Sequence, residues 1–337
     1  MKAIVRRLIA SVLYYSGALW LLAARNLRGR VVVLMYHRVL PKNLDSHSAR
    51  AIVVSVETFS RQMRFLRRFF NPLTLEQFDD VVNGRRPLPP KACLVTFDDG
   101  WFDNHAYALP LLREHGVPAV IFAATGYVGT EHCFWQERLT RALFLLRKQT
   151  KAAAFLREIG GEHLAQVDEA SARDATRSLV TQIKSRPAAE IESLTARAFE
   201  LLRECSLPTD HGDDRFLTWQ EAEELAHSDM VRIGSHAHSH TPLPRLTQLD
   251  LQKELTESRN ELMRRLRSPV ASFAYPNGDY SPESVSAVRQ AGYSLAFTTD
   301  SGYARPGADP LLIPRVNIHE GGTATSAEFL CRILRLL

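Results

Sequence analysis

From residue 31 to about residue 318, short and almost continuously apolar runs alternate with stretches whose apolar residues recur at helical spacing. Seven runs read as strands, at 31–36, 93–97, 119–123, 230–234, 270–275, 294–298 and 313–318. Strands apolar on both sides belong to sheets covered on both faces, and the alternation is that of parallel β/α units. The helical stretches carry their own punctuation. Ser281 with Pro282 opens one and Gly292 follows its end, Thr247 with Asp250 opens another, and a helix over 106–115 stops at Gly116. Over about 137–207 the alternation lapses into an Ala-, Leu-, Arg- and Glu-rich stretch with no strand pattern, which predicts a helical insertion.

The first 30 residues follow a different pattern and form a segment separate from the domain at 31–337. An uncharged run from Leu8 to Ala24 lies between Lys2, Arg6 and Arg7 on one side and Arg25, Arg28 and Arg30 on the other. Seventeen residues are at the short limit for a membrane span, and basic residues on both flanks select no topology. A hydrophobic helix is predicted here, either as a single span or as an interfacial anchor, with Tyr14, Tyr15 and Trp20 suited to the water–lipid boundary. A cleaved signal peptide and a soluble helix packed on the domain are the other readings; basic residues directly after Ala24 leave little room for cleavage. The expected location is a membrane of the bacterial inner-membrane type, with the segment touching the membrane surface and either face open to the domain.

Composition adds few constraints. The 337 residues are 45% apolar and 23% charged, ordinary for a globular chain able to bury a large core. A net charge of +5 is small for a nucleic-acid binder and suits anionic head groups or acidic saccharides. Cys93, Cys133, Cys205 and Cys331 are scattered and read as ordinary thiols.

Two loops carry the chemistry. Asp98-Asp99-Gly100 directly follows the run at 93–97, where α/β folds place active-site loops, although Asp-Asp-Gly is also a common turn. His236, His238 and His240 follow the run at 230–234 and project from the same end of the sheet. In a strand all three would share a face; in a helical turn His236 and His240 would lie together and His238 apart. Two imidazoles and a carboxylate make a three-ligand site with a position left for water, as catalytic zinc requires. The same donor set also holds iron in oxygenases.

Thr96-Phe-Asp-Asp-Gly100, Ser235-His-Ala-His-Ser-His240 and Ala274-Tyr-Pro-Asn-Gly278 together resemble the polysaccharide deacetylases, also called the NodB-homology domain or carbohydrate esterase family 4. The likeness covers roughly residues 31–320 outside the insertion. It implies a deformed (β/α)7 barrel of the NodB-homology type, with Asp98 as general base and Asp99, His236 and His240 holding a divalent metal, typically Zn2+. It also implies that the backbone N–H of Asn277 helps to stabilise the oxyanion and that His319 occupies the place of a general-acid histidine. The arginine of the third motif is replaced by Ala274. Arg315 is a candidate substitute, because strand alternation places Arg315, Asn317 and His319 on one face, and His37 is a further candidate at the barrel mouth for contact with substrate.

The expected activity is metal-dependent removal of N-acetyl, or alternatively O-acetyl, groups from amino sugars of a polysaccharide or a lipid-linked glycan. Hydrolysis of another amide such as a formamide, and glycan binding without turnover, are the competing readings. In the histidine loop, the strand is expected to end at Gly234 and Ser235 to cap a helical turn that leaves His238 outside the ligand set.

Overall fold

The computed structural model describes residues 2–42, 48–209 and 214–336. Two helices, α1 (Lys2–Tyr15) and α2 (Ala18–Asn26), precede the first strands, β1 (Val32–Tyr36), β2 (Arg38–Leu40) and β3 (Val53–Ser55). Then come α3 (Val56–Phe69), β4 (Asn71–Pro72), α4 (Leu75–Val82), β5 (Ala92–Phe97), α5 (Leu109–His115) and β6 (Ala119–Ala123). Helices α6 (Trp135–Leu146), α7 (Ala153–Glu158), α8 (Glu169–Ile183) and α9 (Ala188–Glu204) form the insertion. The chain closes with α10 (Trp219–Ala226), β7 (Val231–Ser235), α11 (Gln248–Leu266), β8 (Ser272–Ala274), α12 (Pro282–Gln290), β9 (Leu295–Ser301), β10 (Ile313–Asn317) and α13 (Ser326–Ile333).

Seven strands close a parallel ring in the order β1, β5, β6, β7, β8, β9, β10 and back to β1, with the two-residue β4 paired to the start of β5. All seven predicted strands are present, and the deformed (β/α)7 barrel is the observed architecture. Their double-sided hydrophobicity has a direct use. Val33, Leu94, Val120, Phe122, Phe297 and Ile313 fill the inside of the ring. Their neighbours Val32, Leu34, Cys93, Val95 and Ile121 face outward and pack on the helices. Capping side chains start the helices where the sequence places them: Ser55 receives the Thr58 N–H, and Ser281 and Ser284 cap α12 reciprocally behind Pro282.

The described residues divide into two compact units, the barrel with its N-terminal helices and a second unit that holds residues 48–49, 131–209 and 214–215. The second unit has its own core, built from Leu139, Leu143, Phe155, Leu179, Val180, Ile183 and Ala198.

The N-terminal segment differs from its prediction. Instead of one hydrophobic helix there are two, bent by 80° where Gly17 takes φ 83°, a left-handed conformation that glycine accepts without cost. Among the described residues, no single helix is long and apolar enough to cross a membrane.

Gly234 lies one residue before the end of β7 and two before His236. A Cβ there would sit 2.6 Å from the Phe122 ring and from Ser272 Oγ. Gly234→Ala should therefore overpack the barrel and cost about 1–3 kcal/mol, read as a lower thermal midpoint with secondary structure unchanged.

Candidate active site

Asp98 and Asp99 stand at the C-terminal end of β5. The Asp98 N–H bonds to the Tyr36 carbonyl, continuing the β5–β1 ladder one step past the strand. The backbone then turns: Asp99 takes φ 77° and Gly100 φ 82°. For a non-glycine residue this conformation costs of order 1 kcal/mol, and it sends two adjacent carboxylates to different tasks.

Asp98 faces Arg315. The two guanidinium Nη atoms donate to the two carboxylate oxygens at 2.7 Å each, in a buried, bidentate pair. Arg315 also donates from Nε to the Thr298 carbonyl (2.8 Å) and from Nη1 to Thr96 Oγ1 (3.3 Å). Burial works against ionisation of Asp98, but the charges of Arg315, His236 and His37 hold its pKa below the usual carboxylate value. Arg315, the candidate substitute for the arginine missing at Ala274, is only 1% exposed and committed to Asp98, so it is not placed in contact with substrate at the mouth.

Asp99 faces the histidines. Its Oδ1 lies 3.5 Å from His236 Nε2 and 3.4 Å from His240 Nε2, and its Oδ2 accepts the Trp101 indole N–H at 2.8 Å. Ligands about 2.0–2.1 Å from a tetrahedral zinc are about 3.3 Å apart, so Asp99 Oδ1 stands at nearly that spacing from both imidazole nitrogens, and all three donors lie within 4.8 Å of one another. His236 donates Nδ1–H to the Ala274 carbonyl (2.8 Å), which leaves Nε2 bare as a ligand. Burial and then the neighbouring His236 push His240 down to about 4, so its ring is neutral at ordinary pH. For His236, burial is outweighed by Asp99 and Asp98, which raise its pKa; for Asp99, burial is outweighed by His236, His37 and His240, which drive it far below the carboxylate range. Among the described residues this is the one group of three or more potential ligands within metal-binding distance. It fits a divalent cation.

The histidine loop reaches this arrangement by a different backbone from the one predicted. β7 runs through Ser235, and no helical turn follows, because Ala237 (φ 64°) and His240 (φ 59°) are left-handed. Ser235 Oγ accepts the Ala237 N–H, Ser258 of α11 donates to the Ala237 carbonyl, and the Gly126 N–H bonds to the His238 carbonyl. The outcome for the side chains is nevertheless the expected one. His238 turns away and shares a hydrogen bond with Thr125 Oγ1 (3.0 Å).

The structure separates the remaining candidates. His37 lies among the charges that act on Asp98, Asp99 and His240, and its Nδ1 is buried without a hydrogen-bond partner. His319, by contrast, lies past the end of β10, where strand alternation no longer holds. Its Nε2 accepts from Arg332 (3.2 Å), and its pKa is lowered by burial, Arg332 and Arg6, with neither aspartate acting on it. Asn277 is exposed on the turn after β8 with φ 57°, and its carbonyl accepts from Thr299.

One layer of the site went unnoticed in the sequence. The Arg38 guanidinium sits 4.2 Å over the Trp101 ring and pairs with Asp103 at 2.9 Å, both charges buried, while Phe216 stacks on Trp101 at 4.3 Å between centroids. Asp103 also accepts the Val39 N–H (2.7 Å). The clue available was an arginine in the otherwise apolar stretch Val39-Leu40 after β1, but nothing in the sequence pairs it with Trp101.

A closed parallel α/β barrel carries, at the C-terminal ends of its strands, an Asp-His-His group able to hold a metal and an arginine-held carboxylate. Comparison with known proteins narrows the class: residues 85–296 match the family model for polysaccharide deacetylase, and the chain belongs to that family. The protein YxkH of Bacillus subtilis (strain 168) is 20% identical over 293 residues, covering 87% of this chain and 72% of that one. The poly-beta-1,6-N-acetyl-D-glucosamine N-deacetylase of Escherichia coli (strain K12) is 24% identical over 294 residues, 85% of this chain but only 36% of the longer enzyme. Among solved structures, IcaB from Ammonifex degensii shares the fold, with a TM-score of 0.59, 21% identity, and coverage of 90% of this chain and 97% of its own.

Two substitutions separate ligands from their supports. His238→Ala should leave metal content unchanged in elemental analysis. Trp101→Phe keeps the stacking but removes the indole donor to Asp99 and should weaken metal affinity by about 10- to 100-fold, measured by competition with a chromophoric chelator.

Proposed function

We propose that the chain is a zinc-dependent N-deacetylase acting on amino sugars of a glycan, with a polymer of β-1,6-linked N-acetylglucosamine as its first candidate substrate. The observation that carries this reading is the buried Arg315–Asp98 pair beside the Asp99–His236–His240 triad. It supplies an ionised base next to a metal site, an arrangement that glycan binding alone would not need. The substrate is suggested by the activity for which the Escherichia coli relative is named.

When bound at the triad, zinc would lower the pKa of a water and polarise the acetamide carbonyl. Asp98 is the base. Each of its oxygens keeps a second lone pair beyond its bond to Arg315, so the carboxylate can take a proton from the attacking water while the guanidinium holds its orientation. Addition of the water oxygen to the acyl carbon, followed by cleavage of the C–N bond, yields acetate and the free amine. The Asn277 backbone N–H is the proposed donor to the oxyanion. The leaving amine needs a proton, and His37, whose buried Nδ1 has no hydrogen-bond partner, is the proposed source in place of the predicted His319, whose Nε2 is engaged by Arg332.

The test is incubation of the zinc-loaded protein with N-acetylglucosamine oligomers, followed by mass spectrometry for the loss of acetyl. A loss of formyl from formylated sugars alone would replace this reading with a deformylase. Asp98→Asn should abolish turnover while zinc is still bound. Removing zinc with a chelator should stop turnover, and adding it back should restore it.

The pH dependence follows from the buried pair. Asp98 acts as base above its folded pKa, which Arg315 holds down, so activity should fall only as acid approaches that depressed value. Arg315→Met removes the counter-charge and leaves burial opposed by less positive charge, so the acid limb of the kcat/KM profile should move to higher pH; Arg315→Lys should restore part of the shift. The Met variant should also be about 3–5 kcal/mol less stable, measured by denaturant unfolding.

A further inference from the structure

Helix α1 presents Ile4, Val5, Leu8, Ile9, Val12 and Tyr15 to solvent, each at least half exposed. Their spacing places them on one side of the helix. Ala10 on the opposite side is buried. Helix α2 repeats the division: Leu19 and Ala23 are buried, whereas Leu21 is 76% exposed. Single exposed leucines are ordinary on a protein surface, but a continuous apolar stripe along a helix already packed by its other face is not.

The aromatic residues divide in the same way. Trp20 stacks on Phe65 of α3 and Tyr14 lies against Trp20, so these two face the barrel, while Tyr15 points outward. The hairpin spans the length of the barrel wall. Arg6 reaches Gly322, beyond the C-terminal end of β10, and Trp20 lies under Lys91, just before the N-terminal end of β5.

Charge identifies the occupant of this surface. Lys2, Arg6, Arg7, Arg25, Arg28 and Arg30 lie in the first thirty residues, and no aspartate or glutamate occurs before Asp45. Arg25 and Arg28 are exposed next to the stripe. An apolar face bordered by an excess of cations, of which Arg7 also lies 3.8 Å from Glu328, matches an anionic bilayer, which offers acyl chains beneath a layer of phosphates. Neither helix spans alone: the fourteen residues of α1 reach about 21 Å against about 30 Å of hydrocarbon, and the 80° bend breaks the pair that would together be long enough.

We infer that α1 and α2 form an interfacial anchor that lies in the surface of an anionic lipid bilayer, its apolar stripe among the acyl chains and its arginines at the phosphates. Because the hairpin lies along the barrel wall, the barrel axis then runs parallel to the membrane and the mouth opens along its surface.

Co-sedimentation of the full chain with phosphatidylglycerol-containing vesicles and with pure phosphatidylcholine vesicles tests this inference. The protein should pellet with the anionic vesicles and be released by salt of about 1 M, where the Debye length is about 3 Å. Leu8→Glu with Val12→Glu should weaken binding by at least roughly tenfold, and Arg25→Glu with Arg28→Glu should weaken it on anionic vesicles. Both double variants alter exposed positions, so their thermal midpoints and deacetylation of soluble oligomers should match the parent. Protein that stays in the supernatant, or a Leu8→Glu/Val12→Glu variant that binds as tightly as the parent, would overturn the inference. So would a concentration-dependent dimer in analytical ultracentrifugation that the same variant dissolves, since a second copy would then cover the stripe.

Discussion

The pairing of Arg315 with Asp98 is the constraint around which the barrel end is organised. Removing a guanidinium and a carboxylate from water is expensive, and the pair is tolerable only if nearly every donor finds a partner. Here the Thr298 carbonyl and Thr96 Oγ1 take the donors that Asp98 does not. Arg315 on β10 and those partners on β5 and β9 come from three strands, so the ion pair exists only when the ring is closed through β1. Closure and the ionised state of the base are in this sense one event.

The metal triad rests on the same geometry from the other side. Asp98 and Asp99 are adjacent in sequence, and the left-handed conformation at Asp99 aims one carboxylate at an arginine and the next at two imidazoles. Trp101 and Ala274 each hold one ligand through a single hydrogen bond. Ala274 thus contributes its backbone where the family pattern has an arginine side chain, and the guanidinium is supplied two strands further round the ring.

The barrel was legible in the sequence because double-sided hydrophobic runs have few other uses, and the meeting of Asp99, His236 and His240 was legible because they follow strands that point the same way. Other features depended on information that periodicity does not carry. Left-handed φ at Ala237 and His240 is unannounced by either residue type, so a helical turn was the natural expectation. His319 was placed on a strand face that ends at Asn317. The Arg38–Trp101–Asp103 layer joins β2 to the loop after β5 and leaves no spacing signature. At the N-terminus, the break at Gly17 lay inside a run whose composition alone read as one helix.

The route of the chain into and out of the helical insertion has a consequence for how such a barrel can change. The Leu217 N–H bonds to the Gly100 carbonyl at 3.0 Å, and the Gly129 N–H bonds to the Leu217 carbonyl at 2.8 Å. Departure at Gly129 and return at Leu217 are therefore fastened together beside the aspartate loop. Since the entropy of closing a loop grows only slowly with its length, the connection between β6 and β7 can be lengthened, shortened or exchanged as a cassette while both stitches hold, leaving the register of the catalytic loops untouched.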